Sequence, residues 1–164
     1  MSEFPSGVVV VTTLDPDGEP RGMTCSSLCS VTDTPPTLLV CLRGESPTLA
    51  AVLRRGEFAV NFLHSGAQHV AELFSSPAAR NRFDLVGWTA GRGGPHIGDH
   101  AHAIADCRVA RTGDGGSHVV VFGEVRDVTL RRGQVPLLYG RRRYNAWREH
   151  MSQEPMPSPR PGWS

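Results

Sequence analysis

Strand-like runs dominate both halves of this chain, and two short helical segments interrupt them in the middle. Val8 to Leu14 is β-branched, Thr37 to Leu42 and Glu57 to Leu63 are apolar, and His118 to Leu130 has the same character over a longer stretch. This order is not the alternation of strand and helix that builds a parallel dinucleotide-binding sheet, and the chain has no GxGxxG motif. It therefore predicts a mainly β fold with inserted helices, a small antiparallel β-barrel.

Turn residues and helix caps mark the ends of these segments. Asp15 to Gly18 has the residue types of a hairpin turn, so Arg21 to Ser27 is predicted to return as a strand beside the first. Ser46 is a good N-cap and Pro47 fits the first helical position, which predicts a helix there. Ser65 to Gln68 has the spacing of a capping box and predicts the start of a second helix.

The second half of the chain carries weaker signals. We expect a helical turn in Pro77 to Phe83, a loop in the Gly/Pro-rich stretch Gly87 to His100, and a strand in Ala103 to Thr112. Gly113 to Gly116 is predicted as a turn. Gly123, inside the long strand, indicates a β-bulge or a close approach of another part of the chain.

Length, charge and composition limit the type of protein. The 164 residues suit one domain, which we place at 1–150, and the residues after it, 151–164, are rich in proline and predict a disordered tail. A net charge of +1 gives no reason to expect nucleic acid or an anionic membrane as a partner. No apolar run approaches the roughly 20 residues of a membrane span, and no secretory signal is evident. We therefore expect a cytoplasmic protein.

The chain contains no lysine, since all 17 basic residues are arginine. A Walker-type phosphate loop and a Schiff-base lysine are thereby excluded. Any phosphate must be held by arginine, hydroxyl groups or backbone N–H groups. There is also no GxSxG elbow and no evident Ser-His-Asp arrangement, so nothing indicates nucleophilic catalysis.

The segment Gly22 to Thr32, with the sequence GMTCSSLCSVT, is unusual for a strand and its exit. It is rich in hydroxyl side chains and has two small cysteines between them. Hydroxyl groups and open backbone at a strand end can satisfy the polar edges of a flavin ring, and small side chains leave room for its flat body. On composition alone, a Ser/Thr-rich edge strand is the simpler interpretation.

Three further features are compatible with a nucleotide ligand. The helix start Ser46 to Thr48 offers free N–H groups, the positive end of a helix dipole and two hydroxyls, and Arg43 adds a charge, although a plain N-cap explains the same residues. His118 follows a glycine-rich turn and can reach a ligand at the barrel mouth, although a histidine there is more often merely exposed. Arg141 to Arg143, followed by Tyr144, is a solvated basic run or a clamp for a nucleotide phosphate.

Besides a flavin or another nucleotide ligand, the residues leave a metal site open. His96, His100 and His102 lie within seven positions, but no HExxH pattern accompanies them. Cys25 and Cys29 are four apart, and no second Cys/His pair has zinc-finger spacing. We therefore expect no metal.

Five motifs occur in the order in which a known family carries them. They are FPSGVVVVTT at 4–13, GMTCSS with SV and PP at 22–36, FAVNFL at 58–63 with Gln68, Ala71 and Phe74, GSH with GEV at 116–125, and PLLY at 136–139 with Tyr144. Together they resemble the flavin reductase family with the FMN-binding split-barrel fold, the small reductase components of two-component flavin monooxygenases. The resemblance covers most of the chain.

The resemblance implies a split β-barrel of antiparallel Greek-key type and an NAD(P)H:flavin oxidoreductase, with FAD or FMN as flavin and NADH or NADPH as hydride donor. His118 would seat the nicotinamide as the catalytic residue. The cofactor-binding residues that it implies are Met23, Thr24, Cys25, Ser26, Ser27, Cys41, Leu42, Ser46, Thr48 and Tyr144. Ser117 differs from the family's common Asp, and Arg43 to Glu45 differs from its common Asn-Arg loop.

The family also implies a homodimer and a separate flavin-dependent oxygenase that receives the reduced flavin. Hydride transfer of this kind needs two rings held in contact and no general acid or base, which agrees with the missing catalytic triad. Two alternatives stay open: a non-catalytic flavin carrier or redox protein on the same fold, and a metal-binding protein that uses His96, His100 and His102.

Overall fold

The computed structural model describes residues 3–77, 79 and 81–147 of the chain. Its strands are β1 (Ser6–Gly7), β2 (Val9–Leu14), β3 (Pro20–Cys25), β4 (Leu28–Asp33), β5 (Pro36–Arg43), β6 (Glu57–Leu63), β7 (Thr89–Ala90), β8 (Pro95–His96), β9 (Ala101–Gly115), β10 (His118–Leu130), β11 (Leu137–Gly140) and β12 (Arg143–Ala146). The tail predicted at 151–164 lies outside the described residues, so the tail and the domain boundary stay predictions.

Three short helices accompany the strands: α1 (Pro47–Arg55), α2 (Gln68–Ser75) and α3 (Arg82–Val86). Single 3-10 turns occupy Ser65–Ala67 and Gly98–His100. Across the described part of the chain, no helix combines the length and the apolar character needed to cross a membrane.

Seven strands form one antiparallel sheet in the order β3-β2-β6-β9-β10-β5-β4. The two edge strands are consecutive in sequence, and the Cys41 N–H in β5 donates to the Ser27 carbonyl between them at 3.0 Å. The sheet therefore curls into a barrel whose edges approach each other there, while no ladder of the described strands pairs β3 with β4. This open seam splits the barrel, and the mainly β, antiparallel prediction is confirmed.

The β-branched run at the start of the chain is buried on both of its faces. Val9 and Val11 pack inside the barrel with Leu42 and other core residues, whereas Val8 and Val10 pack on the other side with residues of α2. All four valines are at most 3% exposed. A strand covered on both sides needs apolar residues at every position, which explains why this run shows no alternation.

Gly123 fulfils the prediction of a close approach. A Cβ at this position would lie 2.5 Å from Cζ of Phe58 in the barrel core, and the β9–β10 register shifts between Phe122 and Gly123. Phe58 fills the space that the missing side chain leaves, so glycine is required here for packing.

Three local predictions are wrong, and the strands β1, β4, β11 and β12 were not predicted. The stretch Gly87 to His100, predicted as a loop, contains the short antiparallel pair of β7 and β8. The second helix is entered through a 3-10 turn, and the His64 side chain, not that of Ser65, accepts the hydrogen bond from Gly66 N at 3.0 Å. The predicted turn at 113–116 is shorter, because β9 continues to Gly115 and only Gly116 has a positive φ, 73°. The polar strand β4 escapes the sequence pattern because its backbone ladder with β5, and not its side chains, holds it in the sheet.

Candidate active site

The first half of the predicted flavin segment runs along β3, the edge strand, and alternates between two environments. Met23 packs against the barrel core, and Cys25, which is 6% exposed, lies within it. Burial raises the pKa of the Cys25 thiol, so this cysteine stays neutral. Met23 and Cys25 therefore support the segment from inside, and a ligand on the outer surface can reach only their backbone.

The other side of β3 faces α2. The Thr24 hydroxyl donates a hydrogen bond to the Ala71 carbonyl of α2 at 2.7 Å. Beyond the end of the strand, Ser26 and Ser27 are exposed. Of the hydroxyl groups predicted to line a flavin, that of Thr24 is thus committed to holding the strand against α2, and those of Ser26 and Ser27 are accessible.

Cys41 and Leu42 are neighbours on β5 but face opposite sides. Leu42 is fully buried in the barrel core, whereas Cys41 is half-buried on the outer face. The Cys41 N–H is paired with the Ser27 carbonyl, and its carbonyl accepts a weak hydrogen bond from the Cys25 thiol at 3.6 Å. These two bonds connect β5 to the end of β3, which brings Cys41 beside the flavin segment.

Ser27, Cys41 and His118 share one face of the sheet. In the ladder between β5 and β10, Cys41 is opposite Val120 and Arg43 is opposite His118. Opposite residues in an antiparallel pair point to the same side, and side chains alternate along each strand, so all four point outward. Ser27 joins this face beside Cys41. The small side chains of Ser27 and Cys41 leave a shallow floor, with Arg43 and His118 at one end.

Two loops meet at that end of the face. The Gly44 N–H donates to the Ser117 carbonyl at 3.0 Å, and the Ser117 hydroxyl lies 3.0 Å from Nδ1 of His118. His118 is exposed. The loop that enters α1 is therefore fastened to the turn that carries His118, and the predicted nicotinamide residue lies beside the predicted phosphate residues.

The start of α1 has the geometry of an anion site. Ser46 is the N-cap, as predicted, and its hydroxyl accepts from Leu49 N at 3.1 Å. Pro47 opens the helix, and Thr48, which is 5% exposed, lies in its first turn. That turn contains no acidic residue, and the two basic residues of the helix are in its last turn. The positive end of the helix dipole is thus left uncompensated by the helix itself.

Tyr144 belongs to a different part of the molecule. It lies on β12 in the small sheet β1-β11-β12, with its ring centroid 5.0 Å from that of Tyr139. Burial, followed by the negative charge of Glu72 on α2, raises the pKa of Tyr144. These contacts place Tyr144 against the outer side of α2 and do not bring it to the face shared by Cys41 and His118.

The arginine run before Tyr144 forms a hairpin turn. Arg141 and Arg142 have positive φ values of 51° and 59° between β11 and β12, and Arg141 forms an exposed ion pair with Glu3 at 2.8 Å. The run therefore has a structural explanation that needs no nucleotide phosphate.

The three histidines of the metal alternative are separated. His96 Nε2 lies 2.9 Å from Oδ1 of the buried Asp106, whereas His100 stacks edge-on against His69 with ring centroids 5.2 Å apart. His102 packs near Phe62 instead. Among the residues that the structure describes, no group of three or more His, Cys, Asp or Glu side chains is arranged to hold a metal ion.

Arg82 is a contact of the flavin segment that the sequence did not reveal. Its guanidinium donates to the Gly22 carbonyl at 3.2 Å, although the two residues are 60 positions apart. Arg82 lies in an irregular part of the sequence with no periodicity, so no local pattern could have identified it.

Comparisons with known proteins agree with this geometry. The family described as "Flavin reductase like domain" matches residues 1–148. The flavin reductase (NADPH) of Lentzea aerocolonigenes is 48% identical over 149 residues, which cover 90% of this chain and 86% of that protein.

Two solved structures have the same fold. The Streptomyces globisporus C-1027 NADH:FAD oxidoreductase SgcE6, in complex with NAD and FAD fragments, is 32% identical with a TM-score of 0.84, covering 92% of this chain and 90% of that one. BorF, the flavin reductase component of a bacterial two-component tryptophan halogenase, is 29% identical with a TM-score of 0.81, covering 90% and 94%. By its sequence and its fold, the chain belongs to the flavin reductase family.

Proposed function

We propose that this chain is an NAD(P)H-dependent flavin reductase that supplies reduced FAD or FMN to a separate monooxygenase. The observation that carries the proposal is the outer face on which Ser27, Cys41 and His118 lie together, beside the start of α1, whose first turn contains no acidic residue. The family and its named members support the same activity.

The residues present fit a flavin. The floor of small side chains between Ser27 and Cys41 suits a flat ring, and the exposed Ser26 and Ser27 offer hydroxyls to its polar edge. The start of α1, with the hydroxyls of Ser46 and Thr48 and the nearby Arg43, suits a phosphate.

The protein acts mainly by orientation. A bound flavin would supply a two-electron hydride acceptor at N5, and the reduced nicotinamide would be the donor, oxidised by loss of the hydride from C4. His118, at the end of the same face, is placed to hold the nicotinamide over the flavin ring. Holding two reactants in contact can lower the barrier of a reaction by up to about 7–11 kcal/mol in favourable cases. The hydride transfer therefore needs no general acid or base.

A turnover assay tests the activity. Purified protein should oxidise NADH or NADPH only when FAD or FMN is added, and the reduced flavin should support a two-component monooxygenase present in the same reaction. A flavin carrier, the alternative function, would bind flavin without oxidising the nicotinamide.

We further propose a homodimer. The last part of β10 pairs with β9, whereas its ladder with β5 ends at Glu124, so the other edge of this stretch has no strand beside it in the described chain. Val128 and Leu130 on this stretch are 51% and 70% exposed. A second copy would cover these apolar side chains. Light scattering after size exclusion should give twice the chain mass, and Leu130→Asp should shift the protein towards the monomer.

We also propose that residues 1–150 form a single domain and that the protein is cytoplasmic. The cysteines at 25, 29, 41 and 107 are free thiols, as a reducing compartment would keep them. Limited proteolysis and cell fractionation would test the two proposals.

A further inference from the structure

The flavin segment lies on an edge strand, which makes its position depend on contacts outside the sheet. β3 pairs with β2 on one side only. An edge strand with one ladder has unpaired backbone groups along its other side and is free to shift. The contacts that β3 makes outside the sheet therefore determine the position of the backbone of Met23 to Ser27.

The segment from α2 to α3 packs on the face of β3 that is turned away from the barrel core. A Cβ at Gly22 would lie 3.0 Å from Cε1 of Phe74 and 3.1 Å from Cζ of Phe83, so two aromatic rings rest against the bare Cα. Phe74 and Phe83 themselves meet edge-on, with ring centroids 5.0 Å apart. The rings locate β3, but apolar contacts of this kind have no direction along the strand.

Arg82 supplies the directional contact. Its guanidinium donates to three backbone carbonyls: Gly22 of β3 at 3.2 Å, Ala79 at 3.1 Å, and Ser76 just after α2. The guanidinium carbon lies 6.0 Å from the centroid of the Phe74 ring. The planar fork thus ties both ends of the connection between α2 and α3 to the first residue of the flavin segment.

The geometry points to Arg82 as a positioning residue for flavin binding, one that fixes β3 so that Met23 to Ser27 meet the flavin ring, without touching the ring itself. The inference rests on the proposed function. Lysine would keep the charge but has no planar fork with which to bond three separated carbonyls. Both Arg82→Lys and Arg82→Met should therefore leave β3 less well fixed and weaken flavin binding.

The test compares flavin affinity with the other steps of turnover. In both variants the flavin Kd should rise by about tenfold, equivalent to about 1.4 kcal/mol. The nicotinamide KM and kcat at saturating flavin should stay within about twofold of wild type, since His118 and its loops are not connected to Arg82. Arg21→Met is the matched control: Arg21 is on the same strand but pairs with Asp15 at the exposed hairpin, so its flavin Kd should not change.

Hydrogen exchange separates positioning from general damage. In the flavin-free Arg82 variants, amides of 22–27 should exchange faster than in wild type, while those of β9 and β10 should not. A wild-type flavin Kd in a folded Arg82→Met protein, or equal losses in flavin Kd, nicotinamide KM and kcat, would overturn the inference. Should Arg82→Met not fold, the same readings on Arg82→Lys decide.

The wild-type protein reports on the proposed site independently. Added flavin should slow exchange in 22–27. If flavin does not slow exchange there, the proposed flavin site is wrong, and the proposed role of Arg82 in flavin binding is wrong as well. If it does, and the Arg82 variants still bind flavin normally, the inference about Arg82 alone is wrong.

Discussion

His118 lies directly opposite Arg43 across the ladder between β10 and β5. The two residues are 75 positions apart in the chain, yet the register sends both side chains to the same face. Arg43 precedes the N-cap of α1 by three residues, and the turn before His118 is bonded to Gly44. The residue that would seat the nicotinamide and the loop that would hold a phosphate are therefore parts of one rigid corner.

From this relationship we predict that His118→Ala reduces the use of nicotinamide without releasing flavin. The exposed ring has no role in the core, so the fold should not suffer. The value of kcat/KM for NADH should fall about tenfold or more, while the flavin Kd, measured by fluorescence, should change less than about twofold. Equal losses of both would show that His118 does not have the assigned role.

We predict that the start of α1 distinguishes flavins by their phosphate. Thr48→Val keeps the shape of the side chain and removes one hydroxyl from the first turn. It should weaken FMN by about 1 kcal/mol and leave riboflavin, which has no phosphate, unaffected. Titrations of both flavins measure this difference. The same loss for riboflavin and FMN would place the phosphate elsewhere.

Ser46→Ala provides the comparison, because Ser46 also caps the helix. Its hydroxyl accepts from Leu49 N, so removal should lower the free energy of unfolding by about 1 kcal/mol in addition to any effect on FMN. Thr48→Val should leave stability nearly unchanged.

Patterns that depend on local chemistry were predictable. The cap at Ser46, the strand at Glu57–Leu63 and the long strand at His118–Leu130 all follow from residue types that act on near neighbours. Gly123 indicated a close approach, but not that the distant Phe58 makes it. The antiparallel barrel followed from the order of the elements. Family motifs then pointed to the segments that the fold brings together.

What could not be predicted depends on contacts between distant segments. Alternation along β3 divides the flavin segment, so that the Thr24 hydroxyl is taken by Ala71 of α2 and Cys25 lies in the core. Folding also brings Tyr144 against α2 and Arg82 to Gly22, and the partners in both contacts are far apart in the sequence. No spacing in the sequence records any of these pairs.

We predict that Gly123→Ala destabilises the barrel. The added methyl would lie 2.5 Å from Phe58 Cζ and 3.0 Å from Cβ of Cys107. Overpacking a closed core costs about 1–3 kcal/mol, which thermal unfolding would detect as a lower Tm. Gly7→Ala is the control, because a Cβ there meets nothing within 4 Å. If Phe58 is the obstacle, Phe58→Leu should recover part of the loss in the double variant.

We predict that stability falls as the solution becomes acidic, and that His100 contributes to this. Burial is the main cause that lowers the pKa of His100 from its usual value of 6.5, and the charges of His69 and His64 add to it, while a hydrogen bond with the Val86 backbone and the charge of Asp99 act in the opposite direction. Burial, followed by the charge of His64, lowers the pKa of His102 as well. A histidine whose pKa is lower in the folded state binds fewer protons there than in the unfolded chain. Its contribution is therefore complete above pH 6.5 and is lost as the pH falls from 6.5 through the lower pKa of the folded state. Melting curves between about pH 5 and pH 8 should show a shallower acid-side decline in His100→Gln than in wild type or His118→Gln. An unchanged slope in His100→Gln would remove His100 from the explanation.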